Sequence, residues 1–194
     1  MSTRSPVRIT WLFLAVFLTG CINQITSENP YQVFSLSDEE VQRAKGTGKP
    51  FAINSNGLLQ TIDSVDFDTI QFGRVRIRRN FVSDGSSRPF DHDPGSDMAA
   101  LLHDALYRGA PQLEFLDGYP GPWTKQQADL AYCLQLQRFG TKKSVAEVNC
   151  RAVRFLQVSI LAWKLHRVRR EAYWKLMEAP QPIARLSAPN VALR

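Results

Sequence analysis

The pattern of apolar and polar positions changes period along the chain. Between Pro50 and Val82 it runs at two. "PFAINSNGLLQTI" (50–62) carries two apolar runs on either side of Asn56-Gly57, a dipeptide suited to the tight turn of a hairpin. In "FDTIQFGRVRIRRNFV" (67–82), Val75, Ile77 and Phe81 share one parity, and Arg74, Arg76 and Arg78 share the other. That is the pattern of a half-buried strand, interrupted at Arg79. Further on, the period lengthens to three and four. One helix is expected from about Ser96 to Arg108. A second opens at Thr124, with Gln127 completing a capping box, and runs to about Phe139 before Gly140 stops it. A third, capped by Ser144 and Glu147, runs to about Met177. Its apolar stripe is Val145, Val148, Ala152, Phe155, Ser159, Trp163, His166 and Tyr173.

"SDGSSRPFDHDPGS" (83–96) and "GAPQLEFLDGYPGPW" (109–123) read as Gly- and Pro-rich loops. Upstream, "SLSDEEVQRA" starts a short helix with Ser37 as cap and Glu40 three residues on. The expected class is α+β: a small antiparallel sheet followed by three helices, the last two forming a helical hairpin.

The N-terminus is a different kind of segment. "MSTRSPVRIT" holds Arg4 and Arg8 and no acid, and "ITWLFLAVFL" is an apolar run of signal-peptide length rather than bilayer-spanning length. It ends in "LTGC" (18–21), which resembles a bacterial lipobox, with Cys21 as the lipidated residue. An uncleaved membrane anchor is the alternative. Ile22, not Asp, follows the cysteine. By resemblance to sorted lipoproteins this implies an outer-membrane location facing the periplasm. The organisation expected is a leader over 1–21, a tether over 22–50, one globular domain over 51–178 and a Pro-rich tail over 179–194.

Loss of the two leader arginines takes the formal charge from +6 to +4. This basic balance suits anionic surfaces such as membranes, and nucleic acid is not the expected partner. The third helix concentrates seven Lys/Arg between Arg151 and Lys175 against Glu171, either a solvated face or a contact for lipid headgroups. Cys133 and Cys150 lie level across the expected hairpin, six residues from either side of its turn. In an oxidising compartment they form a disulfide or remain two small buried side chains. No P-loop, dinucleotide fingerprint, GxSxG elbow or zinc spacing occurs.

The chemistry-bearing candidates are "SDGSSRPF" (83–90), "LLHDALY" (101–107) and "QQADLAYC" (126–133). On a helix His103 and Tyr107 share a face, whereas Asp104 points about 100° away from His103. His103 is then expected to meet Asp129, which would fix its tautomer and leave one nitrogen as a base. Asp104 is expected to face the preceding loop, meeting its amides or a cation such as calcium, with Asp84 and Gly85 as further ligands. The alternative is a structural polar network. In it, Asp84, Gly85, Ser86 and Ser87 are only a tight turn, and Arg88 pairs with Asp104 or Asp129. His92, between Asp91 and Asp93, reads as an exposed acidic turn, and His166 as packing.

In order, these three segments resemble the bacterial and phage family of uncharacterised domains numbered 1353. Its pattern is a strand into a "TDxASxP"-type loop, an "HDxLY" helix and a later "AD" helix. The resemblance spans about Phe51 to Trp163 and carries no settled activity. "HDALY" and "ADLAYC" are also similar to the two catalytic helices of secreted phospholipase A2. That similarity implies His103 as the base activating water, Asp104 as a calcium ligand, Asp129 orienting His103 and Tyr107 bonded to Asp129. The substrate it implies is a phospholipid ester. The chain departs from that family in lacking the full glycine-rich calcium loop, and Ala99, Leu106 and Ala128 stand where cross-linking cysteines are expected. The opposing expectation is a non-enzymatic surface lipoprotein with an unspecified protein partner.

Overall fold

A computed structural model describes residues 36–54, 57–85, 94–155 and 157–179. The leader with Cys21, the tether up to residue 35, Asn56, the Ser86–Ser87–Arg88 loop with His92, the Phe155 side chain and the tail from residue 180 lie outside the described residues. Helix α1 (Asp38–Gly46) starts at the anticipated Ser37/Glu40 capping box. It packs Ala44 against Ala52 and Ile62. The folded unit therefore begins inside the expected tether, before Phe51.

Strands β1 (Phe51–Ile53) and β2 (Leu59–Thr61) pair antiparallel, Phe51 opposite Thr61, and β5 (Val82–Ser83) completes that sheet. A second sheet holds β3 (Val65–Thr69), β4 (Gly73–Ile77) and β6 (Leu113–Phe115) in the order β3-β4-β6. The class is α+β. The single small sheet expected is thus two, and β6 lies within the stretch read as a loop. Propensity misses β6 because only three residues pair; what fixes them is the unsatisfied edge of β4, with Val75 opposite Phe115.

The parity of β4 holds. Val75 and Ile77 are fully buried. On the other face Arg76 pairs with Asp66, while Arg74 pairs with Asp117, two residues past the end of β6. The strand ends before Arg79, and Asn80 turns the chain with φ of 68°.

Helix α2 (Pro94–Arg108) lies against the sheets and buries Leu101, Leu102, Ala105 and Leu106 with Phe67, Val75, Ile77 and Phe81. Helix α3 (Lys125–Arg138), capped by the Thr124/Gln127 box as expected, packs along α2. The expected third helix is three: α4 (Lys143–Phe155), α5 (Gln157–Leu165) and α6 (Arg167–Glu178). Ser144 lies inside α4, not at its cap. Trp163 and Tyr173 of the anticipated stripe do face the core, but Val148 is 47% exposed and Ala146 and Asn149 are buried instead. The hairpin of α3 and α4 closes with a Cys133–Cys150 disulfide, Cα atoms 5.4 Å apart.

The close seat of α6 on α2 depends on Gly109. A Cβ there would lie 2.8 Å from the Arg170 Cα, and its φ is +57°. Arg170 is buried. It donates to the carbonyls of Tyr107 and Trp163 and stacks over the Trp163 ring. It therefore anchors α6 directly behind the Tyr107 turn of α2.

Candidate active site

The α2–α3 interface brings together residues 26 apart in sequence. His103 Nε2 lies 3.2 Å from Asp129 Oδ1. Tyr107, one turn on from His103, donates its hydroxyl to the same oxygen at 2.6 Å. Lys125, one turn before Asp129 on α3, donates to Asp129 Oδ2 at 2.6 Å and to the Val153 carbonyl at 2.6 Å. Both carboxylate oxygens are thus engaged, which fixes the plane of Asp129 and so the imidazole. Tyr107 and Tyr132 pack on the His103 ring, with centroids 4.1 and 4.9 Å away.

The second ring nitrogen is placed differently. His103 Nδ1 lies 3.9 Å from Asp104 Oδ1, beyond hydrogen-bond length. An ionised Asp129 can only accept, so this contact selects the tautomer with its proton on Nε2, and in the neutral ring the Nδ1 lone pair lies on the Asp104 side of the helix. The His103 side chain retains 11% exposure. Burial alone would lower its pKa, but the contact with Asp129 and the charges of Asp104 and Asp129 outweigh it and raise the pKa above 6.5. Burial likewise opposes the charge on Asp129, yet His103, Lys125 and Tyr107 together bring its pKa below 3.8.

The amides expected to meet Asp104 lie in a loop mostly outside the described residues; among the described residues Asp104 meets side chains. Ser83 Oγ donates to Asp104 Oδ2 at 2.6 Å, and the Gly85 amide in turn donates to Ser83 Oγ. Arg108, one turn after Asp104, spans the two carboxylates, 3.2 Å from Asp104 Oδ2 and 3.2 Å from Asp84 Oδ1. Asp84 and Asp104 therefore share one guanidinium. Burial and the neighbouring Asp104 charge push the Asp84 pKa up, while Arg108 and His103 hold Asp104 ionised and its pKa down.

Three participants escaped the sequence reading: Lys125, Arg108 and Ser83. The first two were legible. Lys125–Asp129 and Asp104–Arg108 are (i, i+4) pairs, the spacing at which helical side chains meet. They take the places that reading gave to Arg88, which lies outside the described residues. Ser83 had no local signal, since its partner is 21 residues away.

As ligands for a hard cation, Asp84 and Asp104 offer carboxylate oxygens, and Gly85 adds a backbone carbonyl. Among the described residues no group of three or more His, Cys, Asp or Glu side chains is arranged to hold a metal. Calcium takes six to eight oxygens, so substrate and water would supply the remainder. These are hard oxygen donors of the kind calcium takes, and Arg108 already pairs with both carboxylates. His166 stands apart from this chemistry: burial and the nearby Arg108 charge push its pKa down to about 4, so it stays neutral. A cavity of about 480 Å³ is lined by Phe81, Val82, Arg108, Pro111, Tyr173 and Leu176 among others, but not by His103. No family model, curated protein or solved structure matches the chain.

Proposed function

We propose that this chain is a bacterial or phage-encoded envelope lipoprotein, anchored through Cys21, whose globular domain hydrolyses lipid esters with a His103–Asp129 dyad. The observation that carries the enzymatic part is the seating of the His103 ring on Asp129. Asp129 is fixed by Tyr107 and Lys125 and holds His103 Nε2 at 3.2 Å, so the Nδ1 lone pair is the basic one. An imidazole so held takes a proton from water at Nδ1 as the water oxygen adds to an ester carbonyl. When the tetrahedral adduct collapses, the C–O bond to the alcohol breaks. Nδ1–H then returns the proton to the departing alkoxide, leaving a carboxylic acid.

Asp104, Asp84 and the Gly85 carbonyl are the groups that would hold calcium, which when bound polarises the ester carbonyl. The Cys133–Cys150 disulfide supports an oxidising location such as the periplasmic face of the outer membrane. Among the described residues no helix is long and apolar enough to cross a membrane, and the anchoring proposal rests on the lipobox.

The test is acyl-chain release from phospholipid vesicles by the full chain, with and without a calcium chelator. His103→Asn is expected to abolish release while retaining the wild-type melting temperature within a few degrees. Undiminished release by His103→Asn removes the dyad; release unaffected by the chelator removes calcium and leaves Arg108 as the local cation. A second reading, a closed polar network without catalysis, draws on the full engagement of Asp129 and the low exposure of His103. It predicts no release by wild type and a marked loss of stability in His103→Asn. Labelled palmitate incorporated by wild type but not by Cys21→Ser supports the anchor; incorporation by both overturns it.

A further inference from the structure

Helices α5 and α6 carry a second apolar stripe that the core does not use. Helical bonding crosses their junction, since the His166 amide donates to Ala162 O and the Arg170 amide to His166 O. At about 100° per residue, Leu161, Leu165, Val168, Ala172 and Leu176 fall within an arc of about 80°. That arc faces away from Trp163, Arg170 and Tyr173, which pack inward. Leu161 is 48%, Leu165 46%, Val168 71% and Leu176 65% exposed. Exposed single leucines are ordinary, but five apolar positions aligned over four turns form a surface.

Two features say what covers it. Lys164 and Lys175 border one edge of the stripe and Arg169 the other, while Arg167, farther round the helix, is paired to Glu171. Apolar stripe with cationic borders is the composition of a helix lying in a lipid headgroup layer. A second copy docked on the same stripe would set these cations against their own counterparts, which disfavours it. Independently, Ala172 and Leu176 also line the 480 Å³ cavity, where Phe81, Val82 and Pro111 give apolar walls and Arg169 gives positive charge, Arg108 being already paired with Asp84 and Asp104. The stripe thus continues into a recess matched to an acyl chain with an anionic head.

We infer that the α5–α6 face seats the domain on an anionic phospholipid bilayer. This deepens the hydrolase reading, because it names the side from which the domain meets its lipid. The binding itself is measured without activity. In the lipidated full chain Cys21 is blocked and Cys133 and Cys150 are bonded, so a cysteine placed by Val168→Cys takes a fluorophore selectively. Asp63→Cys, at an exposed turn between β2 and β3, is the control. Vesicles of phosphatidylcholine with or without phosphatidylglycerol carry brominated acyl chains as quenchers.

The expected result is quenching at 168 severalfold above that at 63, in the anionic vesicles only. Lys164→Gln or Lys175→Gln lowers the ratio of seated to unseated protein about fivefold each. His103→Asn leaves the quenching unchanged, so this inference and the hydrolase reading fail separately. Equal quenching at both sites, or none at 168 in protein held to the vesicle by its anchor, overturns the seat. Equal quenching at 168 in the two vesicle types overturns its preference for anionic lipid. A blue shift at 168 that grows with protein concentration in detergent, without vesicles, assigns the stripe to a second copy and overturns it as well.

Discussion

Replacing Asp129 by Asn separates the structural from the chemical role of the dyad. The side chain keeps its shape but loses its charge and one acceptor oxygen. Its new amide faces either Lys125 or the His103 and Tyr107 donors, so at least one donor is left opposite another. The Asp129 side chain is 4% exposed and that of Lys125 18%. Breaking one side of a buried pair costs about 3–5 kcal/mol; the residual access of Lys125 to water places this case near 3 kcal/mol. For a chain of this size that is a fall in melting temperature of about 10 °C.

Adding Lys125→Met removes the stranded ammonium. The Val153 carbonyl keeps Ser159 as a donor. The double variant is therefore expected to recover to within about 1.5 kcal/mol of wild type, because deleting both partners is far cheaper than deleting one. Hydrolysis does not recover with it. With its tautomer no longer fixed, His103 loses activity on the order of 10⁴-fold in both variants. Thermal and urea melts of the full chain, with the disulfide intact, are read beside ester hydrolysis. An Asp129→Asn protein that melts with wild type refutes the strained-donor argument. A double variant that regains hydrolysis refutes the orienting role of Asp129.

The pH dependence has a definite sign on each side. The His103 pKa is raised in the fold, so its stabilisation is complete below about 6.5 and fades as pH rises through the folded value. The Asp129 pKa is depressed, so its contribution is present above about 3.8 and is lost as pH falls through the folded value. With Nδ1 as the proposed base, which must act unprotonated, the acid limb of the rate profile should have its midpoint above 6.5; a midpoint below that value contradicts the electrostatics described. Cys133→Ala/Cys150→Ala should cost about 3 kcal/mol, the chain-entropy value for a loop closed across 17 residues, measured as a drop in urea midpoint. Gly109→Ala should destabilise by about 2 kcal/mol through its positive φ and the Arg170 backbone, and Gly118→Ala, with open space around its Cβ, by less.

Much of the site follows from helical spacing alone. Four residues separate His103 from Tyr107, Asp104 from Arg108 and Lys125 from Asp129, and each pair meets in the fold. The capping boxes at Ser37 and Thr124 are local in the same sense. Backbone geometry sets such relations within a turn or two, so any helix of this sequence must have them. Other features depend on partners far along the chain. Residues 113–115 became a strand because β4 had an open edge, and the β-residues divided into two sheets. Ser83 reached Asp104 across 21 residues. The long C-terminal periodicity held two apolar faces, and only packing against α2 decided that Trp163 and Tyr173 turn inward while Leu165 and Val168 stay in solvent. The sequence by itself determined which residues share a helical face. The tertiary structure decided which face is buried, because burial is a competition among surfaces that no local pattern contains.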